Sequence, residues 1–188
     1  MAETREQELV REHAREQIMA RARRIRMVIF DVDGVLTDGS LFFDNDGHEY
    51  KAFNSRDGHG IKMLKASGVE TAIITGRTSN VVLHRARNLG IERIYQGAED
   101  KLEAYEQLCR DAGMGHDEVA CMGDDLVDLP ILRRCGLAVT VPEAPDEVLA
   151  RAHFVTPHPG GRGAARALCE LIMQAQGTWA AQLALYDR

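Results

Sequence analysis

Two aspartates follow the apolar run at residues 27–30, in the stretch DVDGVLTDG. Asp31 and Asp33 stand two residues apart, and Gly34 comes directly after them. A short apolar run of this kind is typical of a buried strand, and burying carboxylates without partners is costly. We therefore expect a cation, a hydrogen-bond network or a reaction at the end of this strand.

Three later segments also place polar residues after predicted strands. They are Thr75, Gly76 and Arg77, then Lys101 at the start of a helix, and finally Asp124, Asp125 and Asp128. Each has an ordinary explanation, such as a helix cap for Thr75 or a surface position for Lys101. If the sheet is parallel, however, all of these groups meet at one edge, where ligands of open α/β sheets bind.

The elements that position these residues alternate between strand and helix from residue 27 onward. This pattern predicts an α/β fold, a Rossmann-like three-layer αβα arrangement with a mainly parallel sheet. The segment SLFFDNDGHEYKAF, residues 40–53, predicts a β-hairpin insertion with its turn near residues 44–47. The intervals 34–74 and 76–100 are too short to hold a cap domain, so the site would be open unless another subunit covered it.

Composition narrows the class of protein. With 188 residues, 45% of them apolar and 28% charged, the chain predicts one α/β domain. No apolar run is long enough to span a membrane. The net charge of −6 and the lack of a basic cluster disfavour nucleic acid as a partner. Four scattered cysteines without a CxxC motif predict free thiols, and hence a cytoplasmic protein.

We divide the chain into three parts. Residues 1–26 carry seven arginines and five glutamates and predict a charged, helical N-terminal extension. Residues 27–176 form the predicted α/β domain that carries these polar residues, and residues 177–188 a semi-apolar C-terminal tail.

The chemistry that suits these residues is phosphoryl transfer. Mg²⁺ prefers a few oxygen ligands, which the carboxylates of Asp31 and Asp124 and the backbone carbonyl of Asp33 could supply. Asp31 could then attack phosphorus and form an aspartyl phosphate, while Asp33 protonates the leaving alkoxide and later activates water. Thr75 could bind a phosphoryl oxygen and Lys101 could neutralise charge.

The motifs DVDGVLTDG, IITGR, the Lys101 segment and GDDLVD resemble the four signature motifs of the haloacid dehalogenase superfamily. The resemblance implies a phosphatase with the site described above, in which Asp125 and Asp128 support the metal ligands. Further segments, among them FNSRDGHGIKML and GGRGAARALCELI, resemble the capless family of 3-deoxy-D-manno-octulosonate 8-phosphate (Kdo 8-phosphate) phosphatases. That resemblance implies a role in lipopolysaccharide synthesis and a homotetramer whose hairpins pack together, with a neighbouring subunit completing each active site.

The implied substrate is a small sugar-acid phosphate, which needs cations besides Lys101. We expect Arg77, Arg162 and Arg56 to supply them, with Gly76 beside the phosphate. Arg77, directly after the second motif, is the strongest candidate. Relatives that act on sialic-type 9-phosphates tend to carry an acid there. For Arg56, a salt bridge with Asp57 is an equally good interpretation. His59 is interpreted as an exposed residue without a catalytic role.

Two other hypotheses stay open at this stage. The chain could act on a related ester such as a sialic-type 9-phosphate, or it could be a non-catalytic scaffold that has kept the fold. A receiver domain also clusters aspartates and a lysine on a parallel sheet. It lacks the spacing of Asp31 and Asp33 and ranks low.

Overall fold

A six-stranded, entirely parallel sheet forms the centre of the molecule. The structure is a computed structural model that describes residues 5–187, with all side chains except those of residues 6 and 8. The strands are β1 (Met27–Phe30), β2 (Phe42–Phe43), β3 (Glu49–Tyr50), β4 (Glu70–Ile74), β5 (Arg93–Tyr95), β6 (Val119–Met122), β7 (Leu137–Thr140) and β8 (Phe154–Val155). Strands β2 and β3 form a separate antiparallel pair.

The strand order in the sheet is β5-β4-β1-β6-β7-β8. Strand β1 lies between β4 and β6, with Phe30 opposite Ile73 on one side and Met122 on the other. Every residue of β1, β6 and β7 is buried, as expected for parallel strands covered on both faces. Among residues 5–187, no helix combines the length and apolar character needed to cross a bilayer.

Helices flank the sheet and complete the three layers. They are α1 (Arg5–Arg23), α2 (Ser55–Ala66), α3 (Asn80–Leu89), α4 (Lys101–Ala112), α5 (Leu129–Leu132), α6 (Asp146–Leu149), α7 (Ala164–Ala175) and α8 (Trp179–Ala184). Helix α7 packs against both α1 and α2, and α4 packs against α5. The predicted αβα class is confirmed.

Local signals in the sequence account for several element ends. Asn54 caps α2 by accepting hydrogen bonds from the backbone N–H groups of Arg56 and Asp57. Gly90 ends α3 with φ of 71°, in the left-handed region that glycine enters without steric penalty. The predicted hairpin is confirmed, and Gly47 donates to the carbonyl of Asp44 in its turn.

Two predicted elements are shorter than the sequence suggests. The pattern of LVDLPILRRCG predicts a helix, but the structure has a 3₁₀ turn, Leu126–Asp128, followed by the short helix α5. The segment ARAHFVT predicts the last strand, which is reduced to two residues in β8. Its first residues instead complete the turn after α6, where Arg151 donates to the carbonyl of Val148.

Residues just before the first strand and residues of the C-terminal tail pack on the domain. Ala22 and Ile25, just before β1, belong to the hydrophobic core, and the Gln176 amide donates to both of their carbonyls. In the tail, Trp179 lies under the guanidinium of Arg166, with 5.8 Å between the guanidinium carbon and the ring centroid. His59, near the start of α2, contacts the Tyr186 hydroxyl at 2.8 Å.

Asp57 joins α2 to the start of α7. Its buried carboxylate accepts hydrogen bonds from the backbone N–H groups of Gly163, at 3.1 Å, and Arg166, at 2.8 Å. These are N–H groups that the first turn of a helix leaves without partners. The carboxylate therefore serves as a cap supplied by a neighbouring helix, and it fixes the loop before α7.

Candidate active site

An open cavity of about 540 Å³ lies at the carboxyl ends of β1, β4 and β6. Gly39, Ala98, Glu99 and Val127 form part of its wall. The residues of the sequence-based hypothesis that line it are Asp31, Asp33, Thr75, Gly76, Arg77, Lys101, Asp124 and Asp125. Side chains from four distant stretches of the chain thus meet at one edge of the sheet.

Backbone hydrogen bonds of the sheet continue into these loops and hold them. The N–H of Asp31 donates to the carbonyl of Met122 at 2.9 Å, and the N–H of Thr75 donates to Tyr95 at 2.9 Å. Lys101 is the first residue of α4, and its position follows from the cap at Asp100. The candidate side chains therefore follow elements whose backbone hydrogen bonds continue to the edge of the cavity.

A buried ion-pair cluster lies at the bottom of the cavity. The ammonium of Lys101 contacts the Oδ2 atom of Asp31 at 3.0 Å and donates to the Oδ1 atom of Asp128 at 2.6 Å. Burial disfavours the charged form of Lys101, but the two carboxylates outweigh it and raise its pKa. The lysine is therefore held as a cation beside Asp31.

Asp128 is completely buried, and protein donors occupy both of its carboxylate oxygens. Besides the bond to Lys101, its Oδ2 atom accepts from the N–H groups of Asp124, at 3.0 Å, and Asp125, at 3.1 Å. Asp125 itself caps the following 3₁₀ turn through the N–H of Leu126. Asp128 thus fixes both the loop that carries Asp124 and the head group of Lys101.

Two carboxylate oxygens in this cluster are buried without a hydrogen-bond donor, namely Oδ1 of Asp31 and Oδ1 of Asp124. Oxygens of Asp31, Asp124 and Asp128 all lie within 4.8 Å of one another. Burial and the neighbouring carboxylates raise the pKa of Asp31 to about 6 and that of Asp124 to about 7. Unpaired buried carboxylate oxygens at this separation fit a hard divalent cation such as Mg²⁺, which would neutralise them.

Gly34 lets the first loop approach the third. A Cβ atom at this position would lie 2.0 Å from Oδ2 of Asp124, and the backbone φ of 84° is itself left-handed. Both features require glycine. The close approach brings Asp31 and Asp124 into the same cluster.

Two residues of the hairpin segment, Lys51 and Glu49, contact the site and were absent from the sequence-based hypothesis. Lys51 donates to the Asp33 carboxylate and lies 3.2 Å from Glu49. Glu49 also accepts from Arg77 at 3.2 Å and from the Ser79 hydroxyl. Since alternate residues of a strand share a face, the spacing of Glu49 and Lys51 was the available signal.

Electrostatics keep Glu49 ionised. Burial disfavours its charged form, but the surrounding donors outweigh that effect and lower the pKa of Glu49. The Nε atom of Arg77 lies 3.6 Å from Oδ2 of Asp33. Asp33, Lys51, Glu49 and Arg77 therefore form a closed ring of alternating charge at one wall of the cavity.

The other two arginines lie elsewhere. Arg162 is exposed, 3.7 Å from Asp38, and lines an adjoining cavity of about 230 Å³ that it shares with Asp124. The structure does not bring Arg56 to the catalytic cavity. It lies in the first turn of α2 and lines a separate cavity of about 280 Å³ with Arg162 and Arg166.

Comparison with known proteins establishes the family of the chain. A family model for haloacid dehalogenase-like hydrolases matches residues 92–168. Over 161 residues the chain is 47% identical to the 3-deoxy-D-manno-octulosonate 8-phosphate phosphatase of Yersinia pestis, and the match covers 86% of each chain. The chain belongs to this phosphatase family. The resemblance inferred from the motifs is thereby confirmed.

Solved structures of Kdo 8-phosphate phosphatases share the fold. The Yersinia pestis enzyme superposes with a TM-score of 0.87 at 45% identity, over 88% of this chain and 89% of that one. The Moraxella catarrhalis enzyme, solved in complex with a magnesium ion, a phosphate ion and a Kdo molecule, gives a TM-score of 0.90 at 41% identity, over 91% of this chain and 98% of that one. The family members are thus similar to this chain over nearly the whole domain.

Proposed function

We propose that this protein is a Mg²⁺-dependent phosphatase that hydrolyses Kdo 8-phosphate to Kdo and phosphate, in the cytoplasmic synthesis of lipopolysaccharide precursors. The observation that carries the proposal is the pair of unpaired, buried oxygens of Asp31 and Asp124 beside Lys101. A scaffold needs no such cluster. The named activities of the relatives, and the ligands of the Moraxella catarrhalis enzyme, give the substrate and the metal.

Asp31, Asp124 and the backbone carbonyl of Asp33 would hold the Mg²⁺ ion. When bound, the ion draws negative charge from the phosphoryl oxygens and from the two carboxylates. Asp125 and Asp128 would support these ligands. Asp128 does so through the backbone N–H groups of the loop that carries Asp124.

Asp31 is the proposed nucleophile. Its carboxylate attacks phosphorus, a bond forms between the carboxylate and phosphorus, and the bond from phosphorus to the sugar oxygen breaks. Asp33 gives its proton to that oxygen, which leaves as the alcohol of Kdo. Asp33 then takes a proton from the water that attacks phosphorus, which releases phosphate and restores Asp31.

The remaining residues of the cavity bind the phosphoryl group and the sugar acid. The Thr75 hydroxyl donates to a phosphoryl oxygen next to Gly76, and Lys101 neutralises charge shared by the phosphate and Asp31. Arg77, 44% exposed at the cavity wall, faces the sugar-acid part. An arginine at this position favours a Kdo ester, because relatives that act on sialic-type 9-phosphates tend to carry an acid there.

Arg162 has a role in the proposed mechanism, whereas Arg56 has none in the cavity of its own chain. Arg162, in the adjoining cavity, is proposed as a second contact to the anionic substrate. We assign Arg56 no role in the cavity of its own chain, because it lines a separate cavity. Asp57, the salt-bridge partner considered for Arg56, accepts hydrogen bonds from backbone N–H groups at the start of α7.

We also propose a homotetramer in which a neighbouring subunit completes the site. Supporting this, the hairpin exposes a group of large apolar side chains beside the open cavity. The group consists of Leu41, Phe42, Phe43 and Tyr50. An exposed apolar cluster of this kind is typical of an interaction surface.

The function is tested by phosphate release from Kdo 8-phosphate, a sialic-type 9-phosphate and a panel of other sugar phosphates, with Mg²⁺ or with EDTA. We expect a preference of at least about 100-fold in kcat/KM for Kdo 8-phosphate, lost with EDTA and in Asp31→Asn. Metal-dependent turnover of another ester would keep the mechanism and reject the substrate. A folded, Mg²⁺-loaded protein that hydrolyses none of them would reject the phosphatase proposal.

A further inference from the structure

Lys51 is one of the most buried charged groups in the described part of the chain, with a side chain that is only 1% exposed. It follows strand β3 at the end of the hairpin, and its ammonium meets Oδ1 of Asp33 on one side and Oε1 of Glu49 on the other. A lysine loses much hydration energy on burial, so it is tolerated only where carboxylates surround it. The mechanism proposed above does not use this group.

Asp33 needs a fixed orientation for its work. Its side chain is 20% exposed, lines the cavity, and has two different oxygens. Lys51 occupies Oδ1, whereas the nearest cation to Oδ2 is Arg77 Nε at 3.6 Å, beyond hydrogen-bond distance. Oδ2 is therefore the oxygen free to carry a proton to the leaving group.

Glu49 holds Lys51 in turn. Its carboxylate contacts Lys51 and Arg77, each at 3.2 Å, and it accepts from the Ser79 hydroxyl. The hydrogen bond from Lys51 to Asp33 is charge-assisted, the stronger kind, and so are those that Glu49 accepts. The ammonium of Lys51 is therefore held between two carboxylates, and it cannot turn toward solvent without breaking both contacts.

We propose that Lys51 is a positioning residue for the reaction. Its ammonium binds one oxygen of Asp33 and is held in place by Glu49. This orients the other oxygen of Asp33 toward the leaving group. The inference rests on the proposed function for the role of Asp33. The contact itself rests on the structure alone. It makes the hairpin a part of the catalytic apparatus, because the residue that orients the acid lies on it.

The test compares Lys51→Met, which keeps an unbranched, slightly shorter side chain and removes its charge, with Lys51→Arg, which keeps the charge. Lys62→Met is the matched control, because Lys62 is an exposed lysine of helix α2. Thermal unfolding of each variant first establishes that it is folded. Two substrates are then used, Kdo 8-phosphate and p-nitrophenyl phosphate.

The two esters distinguish the two roles of Asp33, as the acid that protonates the leaving group and as the base that activates water. The sugar alkoxide needs a proton to leave, whereas p-nitrophenolate leaves without one. We expect Lys51→Met to lower kcat for Kdo 8-phosphate about 100-fold with KM changed less than about threefold. With p-nitrophenyl phosphate, formation of the aspartyl phosphate stays fast and its hydrolysis slows. The variant should then release a burst of nitrophenolate close to one per active site.

Lys51→Arg should recover at least about tenfold of the lost kcat, because it restores the cation. The role is overturned if Lys51→Met matches Lys62→Met. It is also overturned if both esters lose activity in equal proportion and no burst develops, since a general disturbance of the site would do that.

Crystal structures of wild type and Lys51→Met test the positioning role without reference to any substrate. We expect the Asp33 carboxylate to move by about 1 Å or more when Lys51 is replaced, a displacement that suffices to impair catalysis. An unchanged Asp33 would reject the positioning role even if the enzyme is active. Conversely, a wild type inactive on both esters would reject the proposed function, while a displaced Asp33 would still support the contact.

Discussion

At the scale of single residues, the site depends on carboxylates that have different partners although they lie within one cluster. Asp128 has protein donors on both oxygens, whereas Asp31 and Asp124 each keep one oxygen without a donor. The first pattern builds structure, and the second suits metal binding. These roles lead to two predictions.

Asp128→Asn should both destabilise the protein and impair the site. The amide cannot accept from Lys101 on one side and from two N–H groups on the other, so a buried cation loses a partner. We expect a loss of about 3 kcal/mol in the free energy of unfolding, measured by urea titration, and at least about a 100-fold loss in kcat/KM. Asp125→Asn, at an exposed neighbouring carboxylate, should stay within about 1 kcal/mol of wild type. Equal losses in both variants would contradict the role given to Asp128.

The raised pKa values of Asp31, to about 6, and Asp124, to about 7, predict how stability varies with pH. Both lie above the value of about 3.9 expected in the unfolded chain, so the folded state binds more protons between these limits. Metal-free protein should therefore lose stability as the pH rises from about 4 to 7. Mg²⁺ would bind the ionised form of these two carboxylates, so its stabilising effect should grow over the same interval.

The measurement is Tm with EDTA and with Mg²⁺ at pH 5, 6, 7 and 8. The difference between the two curves should widen with pH for wild type. In Asp124→Asn it should be smaller and flatter, because one of the two titrating ligands is gone. A difference that is constant with pH, or that narrows, would contradict the assignment of these carboxylates as ligands.

At the scale of elements, the loop before α7 supports the first active-site loop. The N–H of Gly161 donates to the carbonyl of Val35 at 2.9 Å. A Cβ atom on Gly160 would lie 1.8 Å from the carbonyl oxygen of Gly34. Asp57 fixes the other end of the same loop at Gly163. The loop that contains Gly160, Gly161 and Gly163 thus connects α2 and α7 to the residues just after Asp33.

Gly160→Ala should force this loop away from the site, because the obstructing atoms belong to the backbone and cannot turn aside. We expect a loss of about 1–3 kcal/mol in unfolding free energy and about a tenfold or greater fall in kcat/KM. Gly113→Ala, where φ is 61° and no atom obstructs a Cβ, measures backbone strain alone. It should lose about 1 kcal/mol and keep full activity. Full activity in Gly160→Ala would disprove the supporting role of the loop.

At the scale of the whole molecule, the charges indicate a small anionic substrate, and the exposed hairpin indicates contact with another subunit. The net charge of −6 disfavours anionic macromolecules, and the cations of the active site face a cavity that a small anion can enter. The hairpin exposes Phe42 and Phe43 by 54% and 55%. Lys51, at the base of the same hairpin, contacts Asp33. Packing between subunits would therefore also restrain a residue of the active site.

The double variant Phe42→Ser and Phe43→Ser should reduce a tetramer to smaller species, because it removes the largest exposed apolar area of the hairpin. Sedimentation velocity on wild type and variant measures the change. Leu185→Ser removes an equally exposed side chain, 56% accessible, from the tail and should leave the mass unchanged. A monomeric wild type, or a tetramer unaffected by the double variant, would reject the proposed interface.

Much of this molecule follows from sequence alone. The order of strands and helices, the hairpin turn, the end of α3 at Gly90 and the meeting of Asp31, Thr75, Lys101 and Asp124 all follow from local patterns. Apolar periodicity and glycine positions act over a few residues, and a parallel sheet brings its strand ends to one edge whatever the loops do.

Only the tertiary structure decided the contacts between elements. It turned Arg56 toward a separate cavity, gave Asp128 donors on both oxygens, and buried Lys51 between Asp33 and Glu49. A sequence pattern shows that a lysine lies on a hairpin, but not how the hairpin folds over the sheet. How the hairpin folds depends on the packing of distant segments. A hydrogen bond requires its two atoms to lie within about 3 Å, and differences in loop conformation move a side chain by more than that.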